Sequence, residues 1–203
     1  FKIYFRAIKC RYIGCVPPVS PAIILPVNNR PTDYRNWTDL TLWALAEPGW
    51  GGFSPNASIN GTGVLPVDGD RVKIPKNVYV IVNCPLPKLK FLQIDGILEF
   101  DNSRDHRLVT DMIFINGGQL IIGWEKNPIL TNVEIEITGE KDSFHFTVPD
   151  EVSMIGGKGI GVFGGLDLHG RPRQPVWTRL AETALAGSQN ITLEEAVDWQ
   201  IGI

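Results

Sequence analysis

The chain has 203 residues, 43% hydrophobic and 20% charged, an ordinary balance for a folded protein of one or two domains. Nineteen Lys and Arg against 22 Asp and Glu leave a net charge of −3, so the balance gives no reason to expect nucleic acid or an anionic membrane as partner. No apolar run approaches the roughly 18 residues of a membrane-crossing helix, and 21 glycines with 15 prolines point to a turn-rich fold.

Phe1, Ile3 and Phe5 alternate with Lys2, Tyr4 and Arg6 in the manner of a strand, so residues 1–15 read as the end of a preceding β-domain and the chain as a piece of something longer. Cys10 and Cys15 are spaced to close a small loop in an oxidising compartment, which leaves Cys84 over; three idle thiols are the alternative. Pro17, Pro18, Pro21, Pro26 and Pro31 make 16–35 a linker. Trp37, Leu40, Leu42, Trp43 and Leu45 suit a short helical turn that seats two indoles as a cap on the end of a repetitive body.

Isoleucine then returns at positions 74, 94, 115, 135 and 155, and Ile94-Asp95-Gly96-Ile97-Leu98 is echoed by Ile115-Asn116-Gly117-Gly118-Gln119-Leu120. A fixed period of this length, carried by short β-type runs, predicts an all-β chain. The expected architecture is a right-handed parallel β-helix with 20–21 residues per coil and a capping segment at its N-terminal end, over residues 36–155. Strands are predicted at 71–74, 78–82, 89–100 and 112–122, with structural turns at Gly69, Gly96, Gly117, Gly118, Gly123 and Gly139, because tight corners favour glycine. Asp95-Gly96 equally suits a hairpin, so an antiparallel sandwich stays open as the alternative.

Residues 156–203 read as the start of a following β-helix segment. Six glycines fall between Gly156 and Gly165. Trp177, Leu180, Ala181, Ala184 and Leu185 follow helical spacing, with Gly187 as a C-terminal cap, and predict one short helix near 176–186. Ile201-Gly202-Ile203 reads as another strand beginning, and the open edge there calls for more chain or a partner.

Four sites fit the N-glycosylation acceptor, at Asn36, Asn56, Asn60 and Asn190, and favour a secreted chain. Asp167 and His169 flank Leu168 and are the acid/base candidates; a surface Asp and a His bonding corner backbone is the plainer reading. Asp68 and Asp70 around Gly69 suit calcium or a glycosidic bond, or simply a turn whose carboxylates bond their own backbone. Trp124 is expected to be exposed, stacking on a sugar ring or packing on Pro128. Gly156-Gly157-Lys158-Gly159 lacks the Gly-Lys-Ser/Thr ending of a phosphate loop. With no Cys-x-x-Cys and no paired His, neither metal nor cofactor is expected.

Trp37 and Trp43, Leu65-Pro66-Val67-Asp68-Gly69-Asp70-Arg71-Val72-Lys73-Ile74-Pro75, Leu92 to Phe100, Ile113 to Gly123 and Ile135-Glu136-Ile137-Thr138-Gly139 together resemble the eight-glycine (G-eight) domain family. Leu168-His169-Gly170, Trp177-Thr178-Arg179-Leu180 and Val197-Asp198-Trp199 are similar to the segment on the C-terminal side of this domain in fibrocystin-like proteins. Residues 1–15 are similar to the last strands of immunoglobulin-like (TIG) repeats. The resemblance implies a large extracellular or cell-surface glycoprotein, a coat, filament or ciliary-surface component. Expected partners are further domains of the same chain at both ends, identical subunits or extracellular glycans. Some relatives are linked to hyaluronan binding and breakdown, which makes part of a hyaluronan-depolymerising hydrolase the alternative. The family offers no catalytic motif to carry onto positions of this chain.

Overall fold

The computed structural model describes residues 30–44, 63–140, 143, 146–147 and 154–199. The chain divides into two compact units, Phe1–His169 and Gly170–Ile203. The expected β-domain end, the Cys10–Cys15 pair and the glycosylation sites at Asn56 and Asn60 lie outside the described residues.

In the first unit, β1 (Arg35–Asn36) leads to α1 (Leu40–Trp43). Asp39 caps this helix: its carboxylate accepts from the Thr41 N–H at 2.9 Å. Four residues make too little helix to stand alone, and the packing of Trp43 holds it. The Trp43 ring meets Trp37 edge-on at 4.8 Å, and its Nε1 donates to the Trp37 carbonyl at 2.7 Å. Next in the chain come β2 (Arg71–Ile74), β3 (Tyr79–Val82), β4 (Leu89–Ile94), β5 (Ile97–Phe100), the long β6 (His106–Ile122), β7 (Val133–Ile137), β8 (Phe146–Thr147), β9 (Met154–Gly156) and β10 (Gly159–Leu168).

Eight of these strands form one sheet, in the order β1-β3-β5-β6-β4-β2, with β7 and β10 also on β6. Every pairing in it is parallel. The hairpin alternative therefore does not describe it; β8 and β9 form a separate antiparallel pair. Along β6, β4 lies on the first half and β5 on the second, so one continuous strand carries both sides of the bend. The register stacks like on like. Val72, Leu92 and Ile113 stand in file, as do Ile74, Ile94 and Ile115; Val80, Leu98 and Leu120; and Val82, Phe100 and Ile122. All twelve belong to the buried core, and each stabilises the fold by about 1.5–3 kcal/mol.

The expected right-handed β-helix is not the fold that forms. Eight of the strands make one parallel sheet curled into a half-barrel, and the described residues hold almost no helix. The isoleucine period accounts for three rows and then fails. Ile135 pairs with Leu108, not Ile115, and Ile155 lies in the antiparallel β9. The next residue after Ile115 in its file is Val162 of β10, beyond the intervening stretch that holds β7, β8 and β9. A helical coil needs a constant return length, and this chain keeps one only from β2 to β6.

The second unit corrects a further expectation. No helix forms over 176–186. Leu180 bridges Leu193 in antiparallel fashion, Ala181 N–H donates to the Thr192 carbonyl, and Glu194 N–H to that of Arg179. A short amphipathic helix needs a surface for its apolar stripe, and Trp177 and Leu185 are instead exposed.

Candidate functional site

The bend in the sheet is built from backbone alone. A Cβ on Gly96 would come within 2.2 Å of the Pro75 carbonyl oxygen. One on Gly118 would lie 2.3 Å from the Gly96 oxygen, and one on Gly164 would lie 2.2 Å from the Gly118 oxygen. Three successive rows thus cross the bend glycine on glycine, closer than any side chain permits. Gly139 and Gly123 are likewise pressed on backbone, by the carbonyls of Gly157 and His169, whereas Gly69 has open space and φ +89°. Sequence reasoning does not single out Gly164. Its signal is present in the glycine-rich stretch, which reads as loop although it is the middle of β10.

On the outer face of the sheet the acidic groups hold the fold. Glu99 is only 2% exposed and collects four donors. Arg30 Nε and Nη2 bind its two oxygens at 2.8 and 2.7 Å, Trp124 Nε1 donates at 3.0 Å, and the Tyr79 hydroxyl donates to Oε2. Burial above all, and then the bond to Glu99, pushes the Tyr79 phenol far above its ordinary range. The same carboxylate raises the Arg30 guanidinium. Trp124 is thus buried, and its indole serves Glu99 rather than standing out as a sugar platform. Across the bend, Asp95 joins three rows: Lys73 Nζ lies at 3.2 Å, Gln93 Nε2 at 2.7 Å and Asn116 Nδ2 at 3.3 Å. Asp111 binds Lys90 and Thr138 in the same way.

Asp68 and Asp70 are placed in a turn. Asp68 Oδ1 accepts from Lys88 N–H at 2.7 Å, and Asp70 Oδ2 accepts from Val67 N–H at 2.9 Å. Asp167 and His169 lie at and just beyond the end of β10, with Nε2 to Oδ1 at 3.8 Å, too long for a hydrogen bond. The other Asp167 oxygen accepts from Gln119 Nε2 at 2.5 Å, and the His169 backbone is tied into the sheet by Ile122 and Ile129. Asn36 is exposed at the end of β1. In the second unit, Asn190 is exposed and accepts through its carbonyl from Ser188 Oγ at 2.6 Å. Cys84 is a free, half-buried thiol whose pKa burial pushes up. Among the described residues no group of three or more His, Cys, Asp or Glu is placed to hold a metal ion. No helix among them is long and apolar enough to cross a membrane.

Residues 59–181 match the family described as G8 domain. Fibrocystin-L of Homo sapiens is 32% identical over 98% of this chain, and fibrocystin of Canis lupus familiaris is 32% identical over 89%. Communication mutant protein F of Dictyostelium discoideum is 23% identical over 84%. The chain spans 5% of the length of fibrocystin-L, 4% of fibrocystin and 14% of the Dictyostelium protein. No solved structure matches it.

Proposed function

The chain belongs to the G8 domain family, and from that premise we propose that it is a structural module of a large extracellular or cell-surface glycoprotein. In this reading it holds neighbouring domains of the same polypeptide in place and offers its sheet for assembly or glycan contact. One observation carries the proposal: the acidic groups that the fold gathers on the sheet and its turns are engaged in holding the chain to itself. Glu99 serves four donors, Asp95 links three rows, and Asp68 and Asp70 fasten a turn. Such an arrangement favours rigidity over turnover. Further support comes from the small share of fibrocystin-L that the chain spans, and from the exposure of Asn36 and Asn190 at two acceptor sites.

The test is expression through a secretory pathway, followed by peptide mapping before and after N-glycan release. Glycans are expected at Asn36 and Asn190, and at Asn56 and Asn60. A chain that passes through the pathway with all four asparagines bare would count against the extracellular placement. Incubation with hyaluronan is expected to leave polymer length unchanged. Shortening that disappears in Asp167→Ala and His169→Ala would replace the structural reading with a hydrolytic one.

A further inference from the structure

β6 holds one edge of β10, and among the described residues no strand lies on the other. The core-side file of β10 is Ile160, Val162, Leu166 and Leu168, opposite the buried Ile113, Ile115, Leu120 and Ile122. Yet the four β10 residues are 38–57% exposed. An apolar file on an open strand edge is a template for another strand.

The backbone points the same way. His169 N–H donates to the Ile122 carbonyl at 2.9 Å, so alternation turns the backbone groups of Leu168 and Leu166 toward the open edge. The irregular step in the pairing lies on β6: it runs from Asn116 to Gln119 while β10 runs from Phe163 to Gly165. Alternation along β10 is therefore unbroken, and Gly164, Val162 and Ile160 present their N–H and C=O groups on that edge too. These positions are symmetric about Gly164, with two branched aliphatic residues before it and two after.

We infer that β10 pairs antiparallel with β10 of a second copy of this chain, about a two-fold axis at Gly164. Ile160 then meets the partner's Leu168, and Val162 meets the partner's Leu166. On the opposite face Phe163, itself 53% exposed, covers the partner's Gly165, the shielding of strand glycine by an aromatic neighbour. Asp167 falls opposite the partner's Gly161, so the acidic group of the strand does not face its own copy. The contact is isologous and closes on itself. One strand edge buries less than the roughly 1,600 Å² of a standard interface, so the pairing is reversible and depends on concentration. The inference rests on the assembly part of the proposed function and names its surface.

The test is sedimentation velocity of the full 203-residue chain over a concentration series. Mass is expected to rise from one chain to two. Val162→Lys places a charge on an exposed position and leaves the fold intact by circular dichroism. The axis applies it twice, so dimerisation is expected to weaken by roughly tenfold or more. Adding Leu166→Glu sets Lys against Glu across the axis in both halves and is expected to restore pairing. Adding Leu166→Lys instead is expected not to. A chain that is monomeric at every concentration overturns the pairing, as does a dimer that ignores Val162→Lys or fails to distinguish the two double variants. A monomer that still carries its glycans removes this inference and leaves the module reading standing.

Discussion

Replacing Gly118 with alanine adds one carbon where the bend has no room for it. The new Cβ would lie 2.3 Å from the Gly96 oxygen and 2.5 Å from the Ile94 oxygen, where ordinary contact begins at 3.4 Å. Both neighbours are backbone, so the rows must part by about an ångström at the bend. That movement stretches the bond from Gln119 N–H to the Gly96 carbonyl, 2.8 Å in the native sheet, beyond hydrogen-bonding range. A lost buried hydrogen bond costs about 1 kcal/mol and overpacking about 1–3 kcal/mol, so the substitution is expected to destabilise the first unit by about 3 kcal/mol. Urea unfolding followed by tryptophan fluorescence reads this as a midpoint lower by roughly 1–3 M. Gly69→Ala is the control. Its φ of +89° is strained for alanine, but nothing lies within 4 Å, so the cost is conformational, about 1–2 kcal/mol. Gly164→Ala meets the Gly118 oxygen, yet β10 is free to shift outward and is expected to cost less than the Gly118 change. If Gly118→Ala proves no more harmful than Gly69→Ala, the close-packed bend does not matter as argued.

The remaining predictions concern the polar groups. Glu99→Ala leaves Tyr79 and Trp124 as buried donors without an acceptor, and Arg30→Ala leaves the buried Glu99 carboxylate without its cation and two of its four donors; each is expected to cost about 3 kcal/mol in thermal unfolding. The Tyr79 phenol is raised in the fold above its ordinary 10.0. Its contribution is therefore fully present below pH 10 and is lost as pH rises above it; alkaline unfolding should be steeper in the native chain than in Tyr79→Phe. Asp39→Ala removes the cap of α1 and is expected to cost about 1 kcal/mol, read as a small loss of thermal stability.

Where the chain repeats regularly, local pattern and global fold agree: the strands at 71–74, 79–82 and 89–100 are legible from sequence, and so is the second part of β6, whereas its first part from His106 is not. The bends at Asp95-Gly96 and Asn116-Gly118 and the apolar files between them follow from alternation and turn chemistry alone. The β-helix expectation fails because it extends that period past Ile115. The file is continued by β10, whose glycines depress every strand signal and whose partner β6 is remote in sequence. The polar centre escapes sequence reasoning for a related reason. By alternation Glu99 is an ordinary outward glutamate. Its burial comes from Arg30, Tyr79 and Trp124, none of them a near neighbour in the chain. The helix over 176–186 fails differently: its spacing is right, but Trp177 and Leu185 are exposed among the described residues, so the apolar stripe gains nothing by forming.

The glycine crossing also divides the fold into parts that are free to change and parts that are not. Register is fixed where Gly96, Gly118 and Gly164 touch, so the segments between successive crossings need only return to the same place. Gly96 to Gly118 is a short span, while Gly118 to Gly164 includes three additional strands without disturbing the stack. Lengthening a flexible excursion costs little, about 0.6 kcal/mol for each doubling. The same frame can therefore accept grafted loops of very different sizes at its periphery, an evolutionary latitude that leaves three small residues as the fixed marks by which every row is aligned.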